Sequence, residues 1–185
     1  MKKLTYLLFA FCLLVLTGQA MAYSVSLTPS TQTIGIGDSA FVNVNLAVGS
    51  NENLFGFDFD LGFNSNILAF NSLSFNPIVS DYVTGYDQPS AGNPDLVTFN
   101  GALDLFGLNV LTDGVFELAT LSFASIGAGN SPLDLSGVVL DLDPAADLVP
   151  LNATGNITAV PEPAGLLLLG LGLAGLAAFR NKVRT

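Results

Sequence analysis

The chain has 185 residues, with 15 acidic and 5 basic side chains, no His and a single Cys. The basic residues (Lys2, Lys3, Arg180, Lys182, Arg184) all lie near the two ends, so residues 23–159 hold 14 acids and no basic side chain, a formal charge of −14. That excludes side-chain salt bridges within this region, a phosphate or nucleic-acid groove, which needs cations, and any catalytic arrangement built on His, Cys or Lys.

In chain order, Lys2-Lys3 precede an apolar run from Leu4 to Leu16 and a small-x-small site at Ala20-Met21-Ala22. This is the layout of a secretory signal peptide, read by signal peptidase, with cleavage expected after Ala22. Cys12 falls inside it, and Phe9-Ala10-Phe11 do not suit a lipoprotein cleavage site. The exported region 23–159 is then free of cysteine and therefore of disulfides, although its compartment would permit them.

Residues 23–159 read as short strands between turns. Ser24–Leu27 is a first strand ended by Pro29, and Ile34–Asp38 is a turn. Between Phe41 and Val48, Val42, Val44, Leu46 and Val48 alternate with Asn43 and Asn45. In Leu54–Asn64, Phe55, Phe57, Phe59, Leu61 and Phe63 fall on one face, and Gly56, Asp58, Asp60, Gly62 and Asn64 on the other. Period two over that length marks a half-buried strand, and its phenylalanines would anchor a sheet-on-sheet core.

Ile67–Phe75 continues the pattern after an Asn-Ser-Asn turn. Pro77–Asp95 is a long polar connection, the loop best placed to touch a ligand, with Tyr82 and Tyr86 as its exposed aromatic pair. Leu96–Gly101 is a strand, and Asp104–Asp113 is less regular. In Val115–Phe123, Phe116 and Leu118 share one parity while Leu121 and Phe123 take the other, which calls for a bulge near Ala119-Thr120. Gly127–Asn130 turns the chain, and Leu133–Leu142 and Asn152–Val160 supply the last strands.

About 8–9 strands at this spacing give an all-β, antiparallel jelly-roll sandwich. An N-terminal signal helix and a C-terminal transmembrane helix flank it. The domain plan is a signal peptide at 1–22, the sandwich at 23–159 and a sorting segment at 160–185.

That segment has three parts: Pro161-Glu162-Pro163, an apolar run from Ala164 to Phe179, and a basic tail at 180–185 containing Arg180, Lys182 and Arg184. As a helix the run rises about 24 Å, a little under the ~30 Å hydrocarbon core. Basic side chains snorkelling to the headgroups make up the difference. Positive residues after the span put the C-terminus in the cytoplasm and the sandwich outside the inner membrane. With Pro161, Glu162, Pro163 and Arg180 as its marks, the segment resembles the PEP-CTERM sorting signal of Gram-negative bacteria. The resemblance implies an exosortase as partner, cleavage near the Pro-Glu-Pro, and a host that makes exopolysaccharide. The expected itinerary is export, transient anchoring in the inner membrane, then the cell surface or extracellular matrix.

The sandwich carries a second resemblance. Leu54-Phe55-Gly56-Phe57-Asp58-Phe59-Asp60-Leu61, Asn64-Ser65-Asn66-Ile67-Leu68, the strand Phe116–Phe123 and the final Gly155-Asn156-Ile157-Thr158 follow the order seen in cohesins. The resemblance implies a nine-stranded jelly roll, related in fold to carbohydrate-binding modules, and a dockerin-like protein as partner.

Chemistry is sparse. Asp58 and Asp60 are a carboxylate pair, but at i, i+2 on a solvated strand face they suit a polar surface better than a glycosidase. Asp141, Asp143 and Asp147 place three carboxylates in one short loop, oxygen ligands fit for calcium. No cofactor is required, and Ca2+ is the one candidate. The leading expectation is a non-enzymatic exported protein that binds a protein partner. The alternatives are a carbohydrate-binding module acting on extracellular polysaccharide through Tyr82 and Tyr86, and a purely structural matrix protein.

Overall fold

Alternating apolar side chains build two sheets that bury their facing sides. The structure is a computed structural model that describes residues 23–50, 52–80, 83–103, 111–141, 148–161 and 171–173. Its strands are β1 (Tyr23–Thr28), β2 (Thr31–Gly35), β3 (Ser39–Val48), β4 (Leu54–Gly62), β5 (Leu68–Phe75), β6 (Val83–Asp87), β7 (Leu96–Ala102), β8 (Gly114–Ser125), β9 (Gly129–Asp141) and β10 (Val149–Val160). A single helical turn, α1 (Pro77–Ser80), follows β5. Asn76 caps it, its Oδ1 accepting from the Ile78 N–H at 3.0 Å, and Pro77 sits at the first helical position, where no N–H is needed.

One sheet has four strands in the order β1-β3-β8-β5, and the other six in the order β2-β10-β9-β4-β7-β6. This is the expected jelly-roll sandwich, with two differences. It has ten strands among the described residues, because β2 and β6 add edges where a turn and a loop are expected. It is also not wholly antiparallel. The chain leaves β1 at Thr28-Pro29, crosses to the second sheet and runs parallel to β10, pairing Thr31 with Asn156 and Gly35 with Val160. The signal helix at 1–22 and all but residues 171–173 of the 164–179 span lie outside the described residues. Among those described, no helix is long and apolar enough to cross a membrane.

The core forms where strand alternation puts it. Val42, Val44, Leu46 and Val48 of β3 face Phe57, Phe59 and Leu61 of β4 across the sandwich, all buried. Phe57, Phe59 and Phe99 form a ring cluster with centroids 5.9–6.5 Å apart. Full burial of each such side chain contributes about 1.5–3 kcal/mol. Two glycines make this packing possible. Gly101 and Gly137 lie directly across from Phe57 and Phe59. A Cβ on Gly101 would fall 2.6 Å from the Phe57 ring, and one on Gly137 2.1 Å from the Asp58 carbonyl oxygen.

The bulge expected in β8 is present one residue earlier than the phase change suggests. Val44 pairs with Ala119 and Asn45 with Glu117, so Leu118 is the extra residue, and Leu118 and Ala119 are both buried. A second irregularity, between Leu54 and Gly56, corrects the expected face of β4: Leu54 turns in and Phe55 is only half-buried. The strand prolines sit where a neighbour is missing. Pro132 lies beyond the β4 register, and Pro150 lies before β2 begins to pair, so neither leaves a ladder acceptor unmet.

Candidate functional site

The sorting segment leaves the fold abruptly. The Ile36 N–H donates to the Val160 carbonyl at 3.0 Å, which closes the last strand. Pro161 follows with no N–H to extend the ladder and is exposed. Glu162, Pro163 and Arg180 lie outside the described residues, while residues 171–173 are helical and exposed. Three turns surround the exit. In the first, Gly37 has φ 93, and the Gly35 N–H donates to Asp38 Oδ2 at 2.9 Å. It is tied to the turn after β8 by Gly37 N–H to Ser125 O and Ser125 N–H to Asp38 O, both 2.9 Å. That turn is in turn tied to the third, since the Ile126 N–H donates to Ile67 O at 2.8 Å.

The opposite end gathers acids. Tyr23, first residue of β1 and the residue after the expected signal cleavage, is buried, and its hydroxyl donates to Asp141 Oδ2. The same oxygen accepts from the Asn53 N–H at 3.1 Å. Burial is the main force holding the Tyr23 phenol protonated well above its ordinary range, followed by the hydrogen bond to Asp141 and then the negative charges of Asp141 and Glu52. Asp141 thus fixes the start of the domain to the end of β9. Asp143 and Asp147, the other expected calcium ligands, lie outside the described residues. Among the described residues no group of three or more His, Cys, Asp or Glu could hold a metal.

The connection expected to be a loop is partly sheet. Tyr86 lies on β6 opposite Phe99, and its ring meets Phe70 edge-on at 6.2 Å, so it closes the gap between the two sheets at their β5 and β6 edges. Tyr82 lies outside the described residues. Beside this edge, Phe63, Phe70, Pro89 and Pro94, with Ser65 and Gln88, line a shallow cleft of about 240 Å³. Of the carboxylates Asp58 and Asp60, Asp58 is exposed, and Asp60 accepts a 2.5 Å bond from Thr98 Oγ1.

The outer face of the four-stranded sheet was not singled out by sequence. At its centre, Asn43 Nδ2 donates to Glu117 Oε2 at 2.8 Å. The Thr120 hydroxyl donates to Asn43 Oδ1 at 3.1 Å. Asn45 Nδ2 donates to Thr28 Oγ1 at 3.0 Å. These bonds hold small polar side chains flat along β1, β3 and β8. Phe41 and Val115 stand at the two ends of the face, 57 % and 72 % exposed. The alternation of β3 and β8 already turns both residues outward, which is the signal that could have found them.

Residues 159–182 match the PEP-CTERM protein-sorting motif. No curated protein matches the chain. Solved structures of cohesins share the fold of the rest. The sixth cohesin of scaffoldin B from Acetivibrio cellulolyticus, solved with a Cel5 dockerin, superposes with a TM-score of 0.60 at 17% identity, covering 76% of this chain and 100% of that one. A non-cellulosomal cohesin from Archaeoglobus fulgidus gives 0.58 at 14%, covering 77% and 94%. A cohesin from Clostridium acetobutylicum gives 0.58 at 19%, covering 74% and 91%. At these identities the likeness is one of fold.

Proposed function

We propose, for a chain that is a PEP-CTERM protein with a cohesin-like domain, that it is an exported binding protein of the cell envelope or exopolysaccharide matrix. An exosortase recognises the sorting segment and cleaves near Pro161-Glu162-Pro163. The sandwich then binds a protein partner through the outer face of β1, β3, β8 and β5. It works without catalysis and needs no cofactor. The observation that carries this reading is the junction itself: the sorting motif begins on the last strand of a cohesin fold, with Pro161 the first residue outside the ladder. The partner face is supported by its geometry. A hydrogen-bonded polar centre fixes shape and offers acceptors, and Phe41 is an exposed aromatic of the type enriched at interfaces, with exposed apolar Val115 at the other end of the face. With a formal charge of −14 over residues 23–159, the domain favours a neutral or cationic partner.

The test is a pull-down from the matrix fraction using the released domain. The expected result is a protein partner retained by the wild type and lost with Phe41→Ser plus Val115→Ser. The cleft lined by Phe63 and Phe70 supports a second reading, a carbohydrate site. Retention on the cell's own polysaccharide, insensitive to that double substitution, would favour it. Retention on neither would leave a structural matrix protein.

A further inference from the structure

The end of the domain where the chain exits differs chemically from the rest of its surface. Ile36, Ile126 and Val160 are 38 %, 55 % and 38 % exposed. They come from the turn after β2, the turn after β8 and the end of β10, and the backbone bonds described above hold them together. The turns there (35–38, 64–67 and 125–129) contain one acid, Asp38, and its carboxylate is occupied by the Gly35 N–H. Nearby Asp95 is likewise turned to the Ser65 N–H at 2.8 Å. In a region of formal charge −14, three exposed apolar side chains gathered at one end, where Asp38 and Asp95 are each turned onto a backbone N–H, require an account.

Tether length supplies it. Three residues, 161–163, separate Val160 from the apolar run that starts at Ala164. Fully extended they span about 10–11 Å. The headgroup layer on each side of a bilayer is about 5–8 Å deep, taken from the difference between the whole bilayer and its hydrocarbon core. While residues 164–179 are in the membrane, the exit end is therefore held against the headgroups. We propose that Ile36, Ile126 and Val160 form a docking surface for the lipid bilayer, and that they seat the domain on the outer surface of the membrane before the sorting segment is cut. Apolar faces that lie in the interface bury about 5–10 Å into the headgroup and acyl boundary in amphipathic helices, and these shorter tips need only its outer part. The seat holds the Pro161 junction at a fixed height above the membrane. The acid-rich end, roughly one 12-residue strand away along β10, stands clear of lipid phosphates by several Debye lengths. This proposal rests on the anchored, pre-cleavage state of the reading above.

The chain contains no Trp, so single tryptophans report position cleanly. The chain from Tyr23 to Thr185 carrying Ile126→Trp, Ile36→Trp or Leu148→Trp is reconstituted in vesicles whose lipids are brominated near the headgroup end of the acyl chains. Leu148 is 58 % exposed at the opposite end and serves as the control. The expected result is strong quenching and a blue shift for Ile126→Trp and Ile36→Trp, with Leu148→Trp unchanged. Flotation with the vesicles, with and without residues 164–179, tests the anchor separately. Failure of the chain from Tyr23 to Thr185 to float overturns the anchored state and this proposal with it. Flotation that depends on residues 164–179, without quenching at 126 and 36, overturns the docking alone. A blue shift without bromine quenching would place a second copy of the chain on this surface and would also overturn it.

Discussion

The two ends of the sandwich are built from the same strands and do opposite things. At the exit end, turns of Gly, Ser, Asn and Ile are laced by backbone hydrogen bonds, and apolar tips are left bare around Val160. At the other end, the carboxylates of Asp141 and Glu52 place negative charge near the buried Tyr23. With no cation between residues 23 and 159, repulsion among those carboxylates is relieved only by hydrogen-bond donors and water. One end is therefore organised by backbone geometry and the other by a single buried phenol. The difference teaches where each can be broken.

Removing that phenol altogether should have the largest effect. Tyr23→Ala empties a core position and releases Asp141, and it should lower stability by about 3–5 kcal/mol, the range for large aromatic truncations. A urea unfolding midpoint would read this directly. Tyr23→Phe keeps the ring and deletes only the hydrogen bond, at a cost of about 1.5–3 kcal/mol, as for bonds to charged groups.

The same bond makes a pH prediction. The folded-state pKa of Tyr23 is raised, chiefly by burial. Its contribution is therefore complete below the ordinary tyrosine value of about 10 and is lost as the pH climbs beyond it. Wild type should lose stability along that alkaline limb, and Tyr23→Phe should run flatter there; parallel curves would detach the acid end from Tyr23.

At the exit end the effects should be smaller and should come from the backbone. A Cβ at Gly127 would lie 2.5 Å from the Asn66 carbonyl oxygen. Gly127→Ala should cost about 1–3 kcal/mol by overpacking, seen as a lowered thermal midpoint without a change in the alkaline limb. The smallest effect has the opposite sign. Ser125 Oγ is buried with no hydrogen-bond partner among the described residues. Ser125→Ala should raise stability by about 1 kcal/mol, because an unsatisfied hydroxyl is removed. A loss on that substitution would mean that the hydroxyl is satisfied.

Much of the sandwich was legible because its signals are local. The inward Val of β3, the Phe of β4 and the parity change of β8 each follow from a few adjacent residues, and the bulge falls at Leu118, beside the expected position. The edge strands were not. Thr31–Gly35 shows no apolar alternation and is a strand because β10 lies beside it. Val83–Asp87 pairs on one side only, within a polar connection. The site followed the same division. Pro161-Glu162-Pro163 is contiguous and readable, whereas Tyr23 and Asp141 meet across 118 residues. Phe41 and Val115 are outward by alternation, but whether another element covers them is a tertiary fact. The joining of Ile36, Ile126 and Val160 at one end likewise depends on which turns share it.

The exit end matters to function only if the sorting segment is removed there. The most direct measurement is the intact mass of the extracellular form. The expected mass begins at Tyr23 and ends at or near Pro161-Glu162-Pro163, without the apolar run Ala164–Phe179. An extracellular protein whose mass retains residues 164–179 would contradict processing at the sorting motif and leave a domain permanently tethered to a membrane.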